Sequence, residues 1–157
     1  MNARLAAAPR DAATALRIGG FQPFTTLDFP GRMAAVVFLQ GCPLKCVYCH
    51  NPELIPARAE NSIDWADIRQ RLAARTGLLE AVVFSGGEPL LQAGLADALC
   101  QARDMGFRTG LHTSGVLPGR FARLAGLLDW VGFDIKAPFD RYGAVTGVDA
   151  SGARARE

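Results

Sequence analysis

Strand-like and helix-like segments alternate along most of this chain, and that alternation restricts the fold more than any other feature. Residues 34–39, 81–85, 108–112 and 130–135 are short runs rich in apolar or β-branched side chains, set off by glycine or proline. Residues 64–76, 89–105 and 118–127 carry helical patterning. Ser62 or Asp64 suits the cap of the first helix, Gly77 follows its end, and Gly106 closes the second. Repeated β-then-α units predict right-handed crossovers and a parallel sheet, hence an α/β fold. In such sheets ligand sites collect at the carboxyl ends of the strands. Four polar or cysteine-bearing stretches fall there. They are the loop with Cys42, Cys46 and Cys49, the turn Gly86-Gly87-Glu88-Pro89, the segment Thr113-Ser114-Gly115, and the pair Asp134 and Lys136. All four should meet at one place.

With 157 residues, 50% of them hydrophobic, the chain has the composition of one globular domain. A net charge of +2 argues for neither nucleic acid nor an anionic membrane as partner. The longest apolar runs, such as 33–39, are far short of a membrane span. Four cysteines, three of them bunched, do not resemble a secreted disulfide framework, so a reducing, cytoplasmic setting is expected. Residues 1–15, rich in alanine and arginine, predict a disordered tail. Residues 149–157 lack a hydrophobic pattern and predict a frayed end, leaving 16–148 as the domain.

The run Gly41-Cys42-Pro43-Leu44-Lys45-Cys46-Val47-Tyr48-Cys49-His50 places three thiols at C-x3-C-x2-C spacing. Cysteine thiolates are the usual ligands of iron–sulfur clusters. Three of them hold three irons of a cubane and leave the fourth open to chelate a small molecule. A zinc site with His50 as fourth ligand is the alternative, but closed zinc sites usually draw ligand pairs from separate stretches. Adjacent residues such as Cys49 and His50 also tend to point apart. A disulfide would leave one thiol of the three over. Cys100, alone in a helical pattern, is expected to be a buried core thiol.

Each remaining stretch has a plain reading beside a functional one. Gly86 and Gly87 end a strand, where a backbone without Cβ atoms either makes a tight turn or approaches a ligand closely. Glu88 is placed to accept from an ammonium group, and Pro89 suits a first helical turn. Asp134 and Lys136, two apart in a strand, share one side and form either an ion pair or a binding pair. His112 is either a satisfied structural histidine or part of the site, and Thr113 or Ser114 is available to hydrogen-bond a ligand.

The cysteine spacing, with Tyr48 before the last thiol and the glycine-glycine-glutamate-proline turn, resembles the radical S-adenosylmethionine (SAM) superfamily. Asp28-Phe29-Pro30-Gly31, Gln40-Gly41-Cys42-Pro43 and Cys49-His50-Asn51-Pro52 resemble its glycyl-radical enzyme activases, in particular those of anaerobic ribonucleoside-triphosphate reductase. The likeness covers roughly residues 18–148. It implies a partial (β/α) barrel, here truncated after about four β/α units. A closed eight-stranded barrel needs about 250 residues. It implies a 4Fe–4S cluster on Cys42, Cys46 and Cys49, and SAM held by Gly86, Gly87 and Glu88, with Tyr48 beside the adenine. Thr113, Ser114, Asp134 and Lys136 complete the implied cofactor site. The implied activity is reductive cleavage of SAM and formation of a glycyl radical on the partner reductase. An external electron donor such as flavodoxin or ferredoxin would drive it. No side chain is required as acid or base. The activases often read Asp-Thr-Asn-Gly where this chain has His112-Thr113-Ser114-Gly115. A neutral imidazole is a weaker ligand for a hard cation than a carboxylate, which argues against a cation site here.

Overall fold

The computed structural model describes residues 12–58 and 62–157. Five strands form one sheet in sequential order: β1 (Ile18–Thr25), β2 (Ala34–Leu39), β3 (Ala81–Gly86), β4 (Arg108–Thr113) and β5 (Trp130–Phe133). β2 to β5 run parallel, as the β/α alternation predicts, and β1 pairs antiparallel with β2 at one edge. The expected strand at 34–39 is observed with the same limits, and the other three agree to within a residue or two.

Alternation along the strands separates two apolar layers. Ala35, Val37 and Leu39 of β2, Val82 and Phe84 of β3 and Leu111 of β4 face the main core. Helix α1 (Trp65–Ala73) seats Trp65, Ile68 and Leu72 against them, and α2 (Leu95–Asp104) seats Leu95, Ala98, Leu99 and Ala102. These i, i+3, i+4 and i+7 spacings make one stripe per helix. Each fully buried Leu, Val or Phe in this layer contributes about 1.5–3 kcal/mol relative to exposure. The opposite face is a smaller layer of Ala34, Val36, Ala81 and Val83 with Phe29, flanked by Phe38 and Trp130.

Several elements differ from the sequence expectation. The helix expected over 89–105 is divided into a 3-10 turn, Pro89–Leu91, and α2. Between them Gln92 is extended (ψ 121°), and its side chain bonds to Arg17 O and Gln40 O. Asp64 stands at the start of α1, but its side chain makes no capping bond. Past α3 (Pro118–Leu124) and β5, the chain forms α4 (Tyr142–Thr146) and α5 (Ser151–Arg156). The frayed end expected over 149–157 is therefore a docked helix with Ser151, Gly152 and Ala155 buried. Of the expected disordered tail, residues 12–15 form a 3-10 turn with Ala13 in the main core. Residues 1–11 lie outside the described residues. Among the described residues no helix is long and apolar enough to cross a membrane.

Candidate functional site

The cysteine loop leaves the carboxyl end of β2 and returns to it. Its base is closed by hydrogen bonds from Gly41 N to Leu54 O (2.8 Å) and from Cys42 N to Ile55 O (3.0 Å). The buried Gln40 amide adds two more, to Glu53 O (2.8 Å) and Pro56 O (2.7 Å). The far side of the loop is held by α4. Lys45 N donates to Thr146 O (2.8 Å) and Val47 N to Val145 O (3.1 Å), so the residues on either side of Cys46 are tied to one helix end. Leu44, Val116, Tyr142 and Ala155 form a small apolar cluster against Cys42 and Cys46. Backbone anchors thus set the loop that carries the three thiols, and all three are partly exposed.

At the end of β3 the glycines are required by chain packing. Gly86 has φ +112°, and a Cβ there would lie 2.4 Å from Leu39 N. A Cβ at Gly87 would lie 2.3 Å from Gly41 O, at the root of the cysteine loop. Both glycines also line the cavity described below. Glu88 does not. Its side chain is fully buried and accepts four hydrogen bonds. Leu90 N (3.2 Å) and Thr113 Oγ1 (2.8 Å) donate to Oε1, while Ser114 N (2.9 Å) and Ser114 Oγ (2.6 Å) donate to Oε2. The carboxylate expected to meet a ligand ammonium is instead a knot joining the ends of β3 and β4. The hydroxyls of Thr113 and Ser114, expected to bond a ligand, are tied into that knot.

Ser85 and His112 sit side by side on the inner sheet face, with Ser85 Oγ 3.0 Å from His112 Nδ1. The imidazole meets Trp130 edge-on, centroids 5.4 Å apart. Beyond β5, Asp134 and Lys136 form an ion pair, the plain reading of that motif, and both line the cavity. Lys136 is largely covered, with Nζ 5.9 Å from the centre of the Tyr48 ring. Its backbone is held between two tyrosines: Tyr48 Oη donates to Lys136 O (3.1 Å) and Lys136 N donates to Tyr142 Oη (2.9 Å). Burial pushes the Lys136 ammonium down, but its bond to Asp134 outweighs this and the net shift is upward. Burial pushes the Cys42 thiol up to about 11, against a Leu44 backbone N–H that favours the thiolate. Burial also raises the Cys46 thiol, with Lys136 opposing. These thiols therefore need a compensating positive centre to stay deprotonated near neutral pH.

The cysteine loop and the ends of β3, β4 and β5 enclose one cavity of about 560 Å³. Cys42, Cys46, Cys49, Tyr48, Gly86, Gly87, Thr113, Ser114, Asp134 and Lys136 all line it, so of the expected site residues only Glu88 stands back. The radical SAM superfamily pattern matches residues 36–156. The chain belongs to the radical SAM superfamily. It is 33% identical to the pyruvate formate-lyase-activating enzyme of Clostridium pasteurianum over 137 residues, covering 83% of this chain and 57% of that one. It is 47% identical to a PqqA peptide cyclase of Rhodopseudomonas palustris over 90 residues, 56% of this chain and 23% of that one. The chain spans about half the length of the activating enzymes it matches. QueE from Escherichia coli shares the fold, with TM-score 0.50 and 22% identity over 70% of this chain and 58% of that one.

Superfamily membership implies a 4Fe–4S cluster and SAM, and the donor set fits. Among the described residues no three His, Cys, Asp or Glu side chains converge on a point that a single metal ion would occupy. A tetrahedral zinc ion needs its donors within about 2.0–2.3 Å of one centre. Three thiols lining one cavity fit a multi-iron cluster, in which each thiolate meets its own iron.

Three contributors were not visible in the sequence. Gln40 and Gln92 brace the loop root, and an amide in an apolar run gives no sign of its partners. Tyr142 and α4 brace Cys46 from a segment with no strong periodicity. Cys100, expected in the core, is exposed on α2, because the buried stripe of that helix passes through Ala98, Leu99 and Ala102.

Proposed function

We propose that this chain is the cofactor-binding domain of a glycyl-radical enzyme activase whose partner is the anaerobic ribonucleoside-triphosphate reductase. The observation that carries the reading is the cysteine loop opening into a cavity lined by three further strand ends. The 33% identity to an activating enzyme over 83% of the chain supports the activase branch. When bound, the cluster and SAM supply one-electron cleavage of the sulfonium S–C5′ bond. Cys42, Cys46 and Cys49 hold the cluster, and the anchored loop keeps them in place without a fourth protein ligand. Gly86 and Gly87 present bare backbone to the methionine end of SAM. Tyr48 offers a flat face to the adenine, with its ring oriented by the bond to Lys136 O. Asp134 and Lys136 close the far wall. The Glu88 knot fixes the β3 and β4 ends relative to each other. The substrate atom is a Cα hydrogen of a glycine in the partner, and flavodoxin or ferredoxin delivers the electron.

The 47% identity to a peptide cyclase over 90 residues supports a second reading, a radical enzyme acting on a peptide. Anaerobic reconstitution with iron and sulfide, followed by dithionite and SAM, should yield 5′-deoxyadenosine, and Cys46→Ala should abolish it. A brown, spectroscopically complete cluster without product would overturn the enzymatic reading. Where product forms, an electron paramagnetic resonance doublet on added reductase marks the activase, and its absence favours the peptide enzyme.

A further inference from the structure

The end of β4 presents one polar atom to the cavity that the protein leaves unmatched. Thr113 and Ser114 direct their hydroxyls to Glu88. His112 also lines the cavity, with Nδ1 taken up by Ser85 Oγ at 3.0 Å, and among the described residues its Nε2 has no partner. No buried side-chain nitrogen or oxygen lacks a bond among those residues, so that nitrogen is open to the cavity and not sealed in the core. Where the Ser85 O–H donates to Nδ1, the ring proton sits on Nε2 and that nitrogen is a donor facing the cavity. The neighbouring strand leaves room for it. A Cβ at Gly132 would lie 2.8 Å from His112 Cδ2 and 3.4 Å from Nε2, so glycine keeps this ring edge uncovered.

We propose that His112 is a cofactor-binding residue, donating its Nε2–H to an acceptor oxygen of SAM, with Ser85 as the positioning residue that selects this tautomer. The inference rests on the radical SAM reading of the cavity. The acceptor chemistry is shared by the methionine carboxylate and the ribose hydroxyls. Nothing in the reaction requires His112 to give up its proton.

The test is equilibrium dialysis of SAM against the reconstituted, oxidised protein, with no reductant present and hence no turnover. His112→Phe keeps an aromatic ring against Trp130 but removes the donor, and should weaken binding about tenfold or more where the acceptor is the carboxylate and about threefold or more where it is a hydroxyl. His112→Gln retains an N–H at similar reach and should recover most of that loss. Ser85→Ala should fall between. With decarboxylated SAM the His112→Phe penalty should vanish if the carboxylate is the acceptor. With a deoxyribose analogue it should vanish if a hydroxyl is. Equal affinities of His112→Phe and the unaltered chain would overturn the proposal, as would a penalty that persists with every analogue. Failure of the unaltered chain to bind SAM despite a complete cluster would instead refute the radical SAM reading itself.

Discussion

Glu88→Gln separates two roles for the glutamate of the glycine-rich turn. The Glu88 carboxylate is fully buried, with two donors on each oxygen. An amide has one oxygen and one NH2, so either orientation points an NH2 at two donors. The hydroxyl of Thr113 or Ser114 can rotate and accept, but the backbone N–H of Leu90 or Ser114 cannot. One charge-assisted bond worth about 1.5–3 kcal/mol is lost, and an unsatisfied buried donor adds about 1–3 kcal/mol. The expected destabilisation is about 3 kcal/mol or more, a large part of the roughly 5–15 kcal/mol that holds a domain together. Urea unfolding followed by circular dichroism reads it directly. With a slope of about 2 kcal/mol/M, the midpoint should fall by ~1.5 M. A midpoint within ~0.3 M of the unaltered chain, combined with weakened SAM binding, would refute the structural role and restore Glu88 as a direct ligand contact.

Gly87→Ala should give little soluble protein, because its Cβ would stand 2.3 Å from Gly41 O and neither strand end can yield; soluble yield and melting temperature check this. Gly152→Ala would put a Cβ 2.3 Å from Phe139 O and 2.8 Å from Tyr142 Cβ. Overpacking of this kind costs about 1–3 kcal/mol. The melting temperature should drop, and iron retained after reconstitution should fall as α4 loosens its hold on Lys45 and Val47. Burial pushes the Asp129 carboxyl up, but the Thr109 N–H, the Arg103 guanidinium and the Thr109 hydroxyl together hold it below its ordinary range. A lowered folded value contributes stability above about pH 4 that is lost as pH falls further. The stability gap between the unaltered chain and Asp129→Asn should therefore narrow from pH 5 toward pH 3 in thermal melts.

The central strands were legible in the sequence because they are buried on both faces and so read as continuous apolar runs, as in Ala34–Leu39 and Ala81–Gly86. β1 was not. Its sequence IGGFQPFT holds two glycines and a proline, its register shifts twice, and only Ile18 is fully buried, as an edge strand permits. α5 was hidden for a different reason. Its buried positions are Ser151, Gly152 and Ala155, chosen for small size against Tyr142 and Phe139, and smallness leaves no hydrophobic period to read. The convergence of the site was legible too, since parallel strands place their following loops at one end. The direction of each side chain was not. Glu88 follows a strand and resembles a ligand contact, yet only its four partners show that it faces inward.

The same distinction explains what the cavity is able to select. Glu88, Thr113 and Ser114 satisfy one another, Gln40 and Gln92 satisfy the backbone of the loop root, and Lys136 is held by Asp134 and two tyrosines. These groups make the walls stiff, but most of their bonding capacity is already used. The polar groups that face the space with capacity to spare are the three thiols, His112 Nε2 and the side chains of His50, Asn51 and Asp134. A binding site with many uncommitted polar groups would accept water as readily as ligand. One with a few, set on anchored backbone, carries its ordering cost in the fold and discriminates by position. The proposed contact from His112 would be of this kind, since its ring is fixed by Ser85 and Trp130 before any ligand arrives.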